Sequence, residues 1–244
     1  MNINDKTLKN KNCFITGATG GIGEKIAAQM AEAGCNLFLT STSSAKLRNL
    51  KDSLQSKFGK DMTIIYGSGD LNSIGEIENI IRKAKKVFSA IDILINCAGV
   101  FPVKLLKDSL LDDFDTCFNV NVRAPFILAK IFSQDMKKKK WGRIVNIGSS
   151  SSYAGFKDTA IYCASKHALL GLSRALFDEL KEFNIRTFCV SPGAVKTKMG
   201  RKIKNQNFKT FLEPEEVARY IKFIISFNSG MVSEEIRLNR IVIE

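Results

Sequence analysis

The 244-residue chain has one histidine, one tryptophan and four prolines, and each scarcity rules something out. With a single histidine, His167, a zinc site or a Ser/His/Asp triad is poorly supported. The six cysteines form no C-x-x-C pair. Cys13, Cys97 and Cys189 lie in apolar runs, where a thiol behaves as a small hydrophobe, so a reducing compartment is expected. No metal site is expected. No apolar run approaches the roughly 18 residues that a membrane span needs, and the opening segment MNINDKTLKNKN lacks the apolar core of a signal peptide. The expected location is the cytoplasm, without membrane association.

Negative charge is also in short supply. Against 37 Lys and Arg stand 24 Asp and Glu, a formal net charge of +13. Such an excess can mark a nucleic-acid binder when it is concentrated on one face. Here lysine is scattered through helices and loops, so a generally lysine-rich composition is the reading and no nucleic-acid partner is expected. The one dense run, residues 137–140, precedes Trp141 and reads as the C-terminal end of a helix, where the helix dipole favours cations.

A 45% hydrophobic content is enough for a substantial core. Cys13, Phe14 and Ile15 form a short apolar strand running into Thr16-Gly17-Ala18-Thr19-Gly20-Gly21-Ile22-Gly23, and an amphipathic helix follows over residues 24–33. Strand, glycine turn and helix make a phosphate cradle. Glycine permits the tight turn and close backbone approach, and the helix N-terminus faces the anion. Further strands are expected at residues 37–40, 63–66, 91–95, 144–147 and 186–190. Helices are expected in the segment containing Leu47, Leu50, Leu54 and Phe58, over 74–88, as one long stretch around 114–136, and from Tyr162 to about Lys181. This alternation implies an α/β, Rossmann-type doubly wound parallel sheet with helices on both faces, in a single domain over residues 1–244.

The segment RIVNIGSSSSYAGFKDTAIYCASK, residues 143–166, carries the chemistry. Its apolar strand ends in four serines, and a helix beyond the loop carries Tyr162 and Lys166. Four residues apart on a helix places both on one face. An ammonium beside a phenol favours the phenolate, so the Tyr162 pKa is expected below its ordinary value of about 10. Tyr162 then becomes a usable acid or base, and Ser149 can hydrogen-bond the oxygen that Tyr162 protonates.

Taken together, these motifs resemble the short-chain dehydrogenases/reductases over nearly the whole chain. Thr16-Gly17-x-x-x-Gly21-Ile22-Gly23 is similar to the family's cofactor loop, which brings in Thr19 and Gly20. Asp70-Leu71 matches the pair bordering the adenine. Asn96-Cys97-Ala98-Gly99 resembles Asn-Asn-Ala-Gly, with Cys97 replacing the second Asn. Asn121, Ser149, Tyr162 and Lys166 fall where the family has its catalytic tetrad. Pro192-Gly193, with Val195 and Thr197 after it, matches the segment holding the nicotinamide end. The resemblance implies hydride transfer between nicotinamide and a carbonyl or secondary alcohol. Tyr162 would transfer the proton, Lys166 would also hold the ribose, Ser149 would donate to the oxyanion, and Asn121 would hold a water linking Lys166 to solvent. It also implies a homotetramer or homodimer. The nearest group is the 3-oxoacyl-carrier-protein reductases, but the tail from Glu234 to Glu244 lacks that group's glycines, and the substrate-covering segment at about 197–213 is short.

An NAD-selective member has a carboxylate near the end of the second strand, which binds the ribose 2′-OH and repels a 2′-phosphate. Here Ser41, Thr42, Ser43 and Ser44 stand there, with Lys46 close by, so NADP(H) is expected ahead of NAD(H). Gly20 occupies a position where many NADP-preferring relatives carry a cation, which tempers that preference. Two other readings are a same-fold sugar epimerase or dehydratase and a non-catalytic cofactor sensor. The first usually has more chain after Pro192, and the second usually lacks the Tyr or Lys.

Overall fold

Seven strands form one all-parallel sheet in the order β3-β2-β1-β4-β5-β6-β7. They are β1 Asn12–Thr16, β2 Asn36–Ser41, β3 Ile64–Ser68, β4 Ile93–Asn96, β5 Gly142–Ile147, β6 Ile185–Pro192 and β7 Glu235–Leu238. The structure, a computed structural model, describes residues 7–59, 61–203 and 206–241. The first half of the opening segment, part of the 197–213 segment and the tail residues Val242, Ile243 and Glu244 lie outside them.

The helices are α1 Gly21–Glu32, α2 Ser44–Phe58, α3 Ile74–Val87, α4 Leu111–Phe118, α5 Ala124–Lys139, α6 Ala160–Leu180 and α7 Pro214–Ser226. Successive side chains on a strand point to opposite faces, and the core divides accordingly. Cys13 and Ile15 pack with Leu37, Leu39, Ile93 and Ile95 beneath α1, α2 and α7. Phe14, Phe38, Leu94 and Ile144 pack on the other face against α3 and α5. The Phe14 ring lies 5.0 Å from both Phe38 and Phe132. Burial on both faces explains why the central strands read as continuous apolar runs rather than alternating ones.

The sequence leads to six strands, and the structure adds β7 and α7. In β7 only Ile236 is buried, so four residues of an edge strand carry almost no periodic signal. The α7 signals are present in the sequence: Pro214 at the first turn, Glu215 and Glu216 after it, and a buried stripe of Val217, Ala218, Ile221, Ile224 and Ile225. The single helix expected around 114–136 is two helices, α4 and α5, joined by a π-helical turn over Asn119–Arg123. Such turns widen a helix locally and recur at functional sites. The 137–140 run does end a helix. Lys140 adopts a left-handed backbone, and Lys139 donates to the buried Asp92 carboxylate at 2.8 Å.

A buried cation ties the new elements to the sheet. Arg143 of β5 has no exposed surface, and its guanidinium donates to the carbonyls of Ile225 (3.1 Å), Phe227 (2.9 Å) and Gly142 (2.8 Å) and to Asn228 Oδ1 (3.1 Å). The Trp141 ring lies 4.4 Å away. Burial, and then the nearby Arg186, lower its pKa to about 9, so it stays protonated at neutral pH. These donors satisfy carbonyls at the C-terminus of α7 that have no helical partner. Arg143→Met should strand them and destabilise the protein by about 3 kcal/mol, lowering Tm by roughly 6–12 °C at this chain length. A calorimetric Tm within 2 °C of wild type would show that the carbonyls find other donors.

Candidate active site

The strand order reverses between β1 and β4, and a cleft opens beyond the C-terminal ends of those strands, the place where open α/β sheets bind ligands. Its volume is about 1160 Å³. Two glycines set its floor. Gly17 has φ +63°, and a Cβ there would lie 2.7 Å from Ala98 Cα; a Cβ on Gly23 would lie 2.2 Å from the Gly17 carbonyl oxygen. Only glycine lets the loop fold against the end of β4 while α1 packs down on it. Thr16 Oγ1 accepts from the N–H groups of Cys97 and Ala98, both at 3.0 Å, fastening the β4 loop to β1.

The cleft fits a dinucleotide. Helix α1 starts after Gly20 with no side-chain cap, so the N–H groups of its first turn remain for an anion, reinforced by the helix dipole. Asp70 and Leu71 line the cleft, together with Ser41, Thr42 and Lys46. Thr40 also lines the cleft, and its buried hydroxyl has no partner among the described residues. Ser41 Oγ accepts the Ser43 N–H at 3.4 Å, which leaves its own hydrogen free to donate.

Ser149, Tyr162 and Lys166 meet at the other end. Lys166 Nζ donates to the Ile147 carbonyl at 2.7 Å and sits 5.7 Å from the centre of the Tyr162 ring. One of its three N–H groups is thereby used, and two remain for the cleft. Ser149 Oγ accepts the Ser151 N–H at 3.1 Å, and its hydrogen bond to the Tyr162 oxygen favours the phenolate. Burial opposes this and wins. The Tyr162 phenol is pushed up to about 12, whereas the sequence leads to a lowered value. Lys166 is itself fully enclosed, and burial holds its ammonium below the ordinary range. Desolvation dominates both groups, and the influence that opposes it at Tyr162 is the Ser149 hydroxyl.

The cleft is lined by Gly17, Thr19, Gly20, Gly21, Ile22, Gly23, Ala98, Gly99, Pro192, Gly193, Val195 and Thr197, as the sequence leads one to expect. Two residues lie behind the wall instead. Asn96 is buried and donates to Asn146 Oδ1 at 2.7 Å. Asn121 accepts the Val100 N–H at 2.9 Å and donates to the Val100 carbonyl (3.1 Å) and Ser165 Oγ (3.0 Å). Its side chain therefore joins the π-helical turn to α6, the helix carrying Tyr162. Phe101 meets the Tyr162 ring edge-on at 4.6 Å, and Phe156 and Met199 also line the cleft. His167 is exposed, with its Nδ1 2.9 Å from the Cys163 carbonyl. Burial pushes the Cys97 thiol up to about 12, so it is no nucleophile. Sequence reasoning missed Lys202, Gln206 and Arg240 on the far wall. No local motif marks them, because they converge only when the tail folds beside the 197–213 segment.

Such a site on a doubly wound sheet defines a dinucleotide-dependent oxidoreductase. The family model of short chain dehydrogenases matches residues 11–207, and the chain belongs to that family. It is 34% identical over 190 residues to an uncharacterized oxidoreductase of Thermotoga maritima, covering 78% of this chain and 74% of that one. A 3-oxoacyl-(acyl-carrier-protein) reductase of Buchnera aphidicola is 31% identical, over 96% of this chain and 95% of its own. Among solved structures, an alcohol dehydrogenase of the archaeon Thermococcus sibiricus complexed with 5-hydroxy-NADP superposes with TM-score 0.86 at 25% identity. That match covers 95% of this chain and 97% of the other. A metagenomic short-chain oxidoreductase in complex with NADP gives TM-score 0.84 at 25% identity, over 97% and 99%. No metal cluster occurs among the described residues, and no described helix is long and apolar enough to cross a membrane.

The burial of Tyr162 makes a direct prediction for the ligand-free protein. In an ultraviolet titration of wild type minus Tyr162→Phe, the phenolate difference signal should be absent below about pH 10. A difference signal rising near pH 8 would show that the Lys166 charge overcomes desolvation after all.

Proposed function

We propose that this enzyme is an NADPH-preferring ketone reductase acting on a small carbonyl compound, with 3-oxoacyl reduction as the finer reading. The observation that carries it is the convergence of Ser149, Tyr162 and Lys166 beside an uncapped helix N-terminus in one cleft. Bound NADPH supplies the hydride. Tyr162, protonated at neutral pH, delivers its proton to the carbonyl oxygen as charge develops there. Ser149 donates a second hydrogen bond to that oxygen. The two remaining N–H groups of Lys166 hold the ribose and stabilise the phenolate left after transfer. Asn121 holds a water that returns a proton to this pair, through its main-chain carbonyl or the remaining Oδ1 lone pair. Phe101 and Met199 keep bulk water from the carbonyl.

Relatives of about 30% identity named for 3-oxoacyl reduction support the finer reading. The hydroxyls at the end of β2, with Lys46 alongside and no carboxylate, support NADPH. The chain works in the cytoplasm, as six cysteines without a C-x-x-C pair suggest. The 197–213 segment closes over the substrate. A homo-oligomer completes the reading, because Leu106 (81% exposed), Leu110 (63%), Leu111 (84%) and Phe126 (48%) gather before and along α4 and α5. Light scattering should give a mass of at least twice the chain's 27.1 kDa, and a monomer at micromolar concentration would refute this part.

Tyr162→Phe should lower kcat by at least about 100-fold with cofactor still bound, and near-wild-type turnover of a ketone would refute the mechanism. Lys166→Ala should lose turnover and also weaken NADPH by roughly 10-fold or more. Unchanged NADPH affinity by titration would remove the ribose contact. Ser41→Asp should shift the NADPH/NADH ratio of kcat/KM toward NADH at least tenfold, because the new carboxylate would face the 2′-phosphate. A wild-type ratio already favouring NADH would overturn the assignment.

A further inference from the structure

The far wall of the cleft is built from a part of the chain that departs from the 3-oxoacyl reductases. Where β7 ends at Leu238, the Leu238 carbonyl accepts the Gly193 N–H at 2.8 Å, which holds the tail at the ligand end of the sheet. Arg240 follows two residues later. Its guanidinium donates to Thr210 Oγ1 at 3.0 Å and Gln206 Oε1 at 2.9 Å and lies 5.2 Å from the Phe211 ring. All three partners are neutral. Among the described residues no carboxylate pairs with Arg240, and Glu213, the nearest in sequence on that segment, is held by Lys196. The result is a half-buried positive charge, fixed in orientation and with N–H groups to spare, on the wall of the cleft. Lys202 lines the same cleft and also a smaller neighbouring pocket with Phe101, Pro102, Asp112 and Asp113. There Lys104 holds Asp113, and Asp112 faces Lys202 as a partial counter-charge, so Arg240 is the anchor and Lys202 the lesser help. Asp158 and Lys157, neighbours in sequence, also line the cleft, and their formal charges offset each other.

A fixed guanidinium with no carboxylate partner among the described residues is suited to a carboxylate or phosphate, which it can hold by parallel hydrogen bonds. We propose that the substrate carries an anionic group beside its carbonyl, held by Arg240 with help from Lys202, so that the enzyme selects anionic carbonyl compounds over neutral ones. This rests on the ketone-reductase reading above and specifies its substrate class. The anion is either the carboxylate of a free keto acid or a phosphate of a thioester carrier, and each presents two oxygens that a guanidinium can hold side by side.

Two matched pairs of probes separate these sources: 4-oxopentanoate against its methyl ester, and acetoacetyl-coenzyme A against acetoacetyl-N-acetylcysteamine. With saturating NADPH, the wild-type enzyme should show an anionic-to-neutral ratio of kcat/KM of at least tenfold for one pair. That pair identifies carboxylate or phosphate. In R240Q this ratio should fall at least tenfold, and R240K, which keeps the charge, should retain part of it. The NADPH KM should stay within threefold. Ratios near one in wild type, or unchanged in R240Q, overturn the proposal. A raised NADPH KM with unchanged ratios also overturns it, by assigning the guanidinium to the cofactor. If no probe turns over, the reductase reading fails. Calorimetric titration of 4-oxopentanoate and acetoacetyl-coenzyme A into the NADP+ complex then decides the anion site alone: binding at least tenfold weaker in R240Q supports it, and equal binding or none in wild type removes it.

Discussion

The close contact between the glycine loop and the end of β4 is the constraint on which the rest of the site depends. Gly17 and Ala98 approach so nearly that no side chain fits between them, and Gly23 lets α1 sit on the same loop. Thr16, at the end of β1, accepts both Cys97 and Ala98 N–H groups of the β4 loop with one hydroxyl. The seam joins the two halves of the sheet at the point where the strand order reverses. The uncapped N-terminus of α1 therefore points into the cleft that the other half lines with Ser149, Tyr162 and Lys166.

Electrostatics and burial oppose each other at the second half of the site. Enclosing Tyr162 and Lys166 raises one pKa and lowers the other, so both shifts favour the neutral forms. The Ile147 carbonyl and the Ser149 hydroxyl offset part of that cost. A protonated phenol at neutral pH is the form required of a proton donor in carbonyl reduction. Behind it, Asn121 couples the backbone of Val100 to Ser165, so the widened helical turn braces α6 while its Val120 lines the cleft.

Much of this was legible in the chain. The apolar runs of β1, β2, β4 and β5 are buried on both faces and announce themselves without periodicity. The glycine turn, the Tyr162/Lys166 spacing and the bare hydroxyls after β2 are local patterns whose chemistry depends on neighbours in sequence. β7 was illegible because a four-residue edge strand with one buried side chain carries no pattern. The π-helical turn was illegible because Asn119 to Arg123 interrupt a helix without Pro or Gly.

The sequence by itself determined the alternating fold, the phosphate cradle and the pairing of phenol with ammonium, because each arises within a strand, a turn or one helix face. Tertiary structure decided the balance between burial and charge at Tyr162, the placement of Asn96 and Asn121 behind the wall, and the far wall itself. The reason is the same for all three. Desolvation and the meeting of Arg240 with Gln206 and Thr210 depend on segments tens of residues apart being packed together, and no local spacing encodes that.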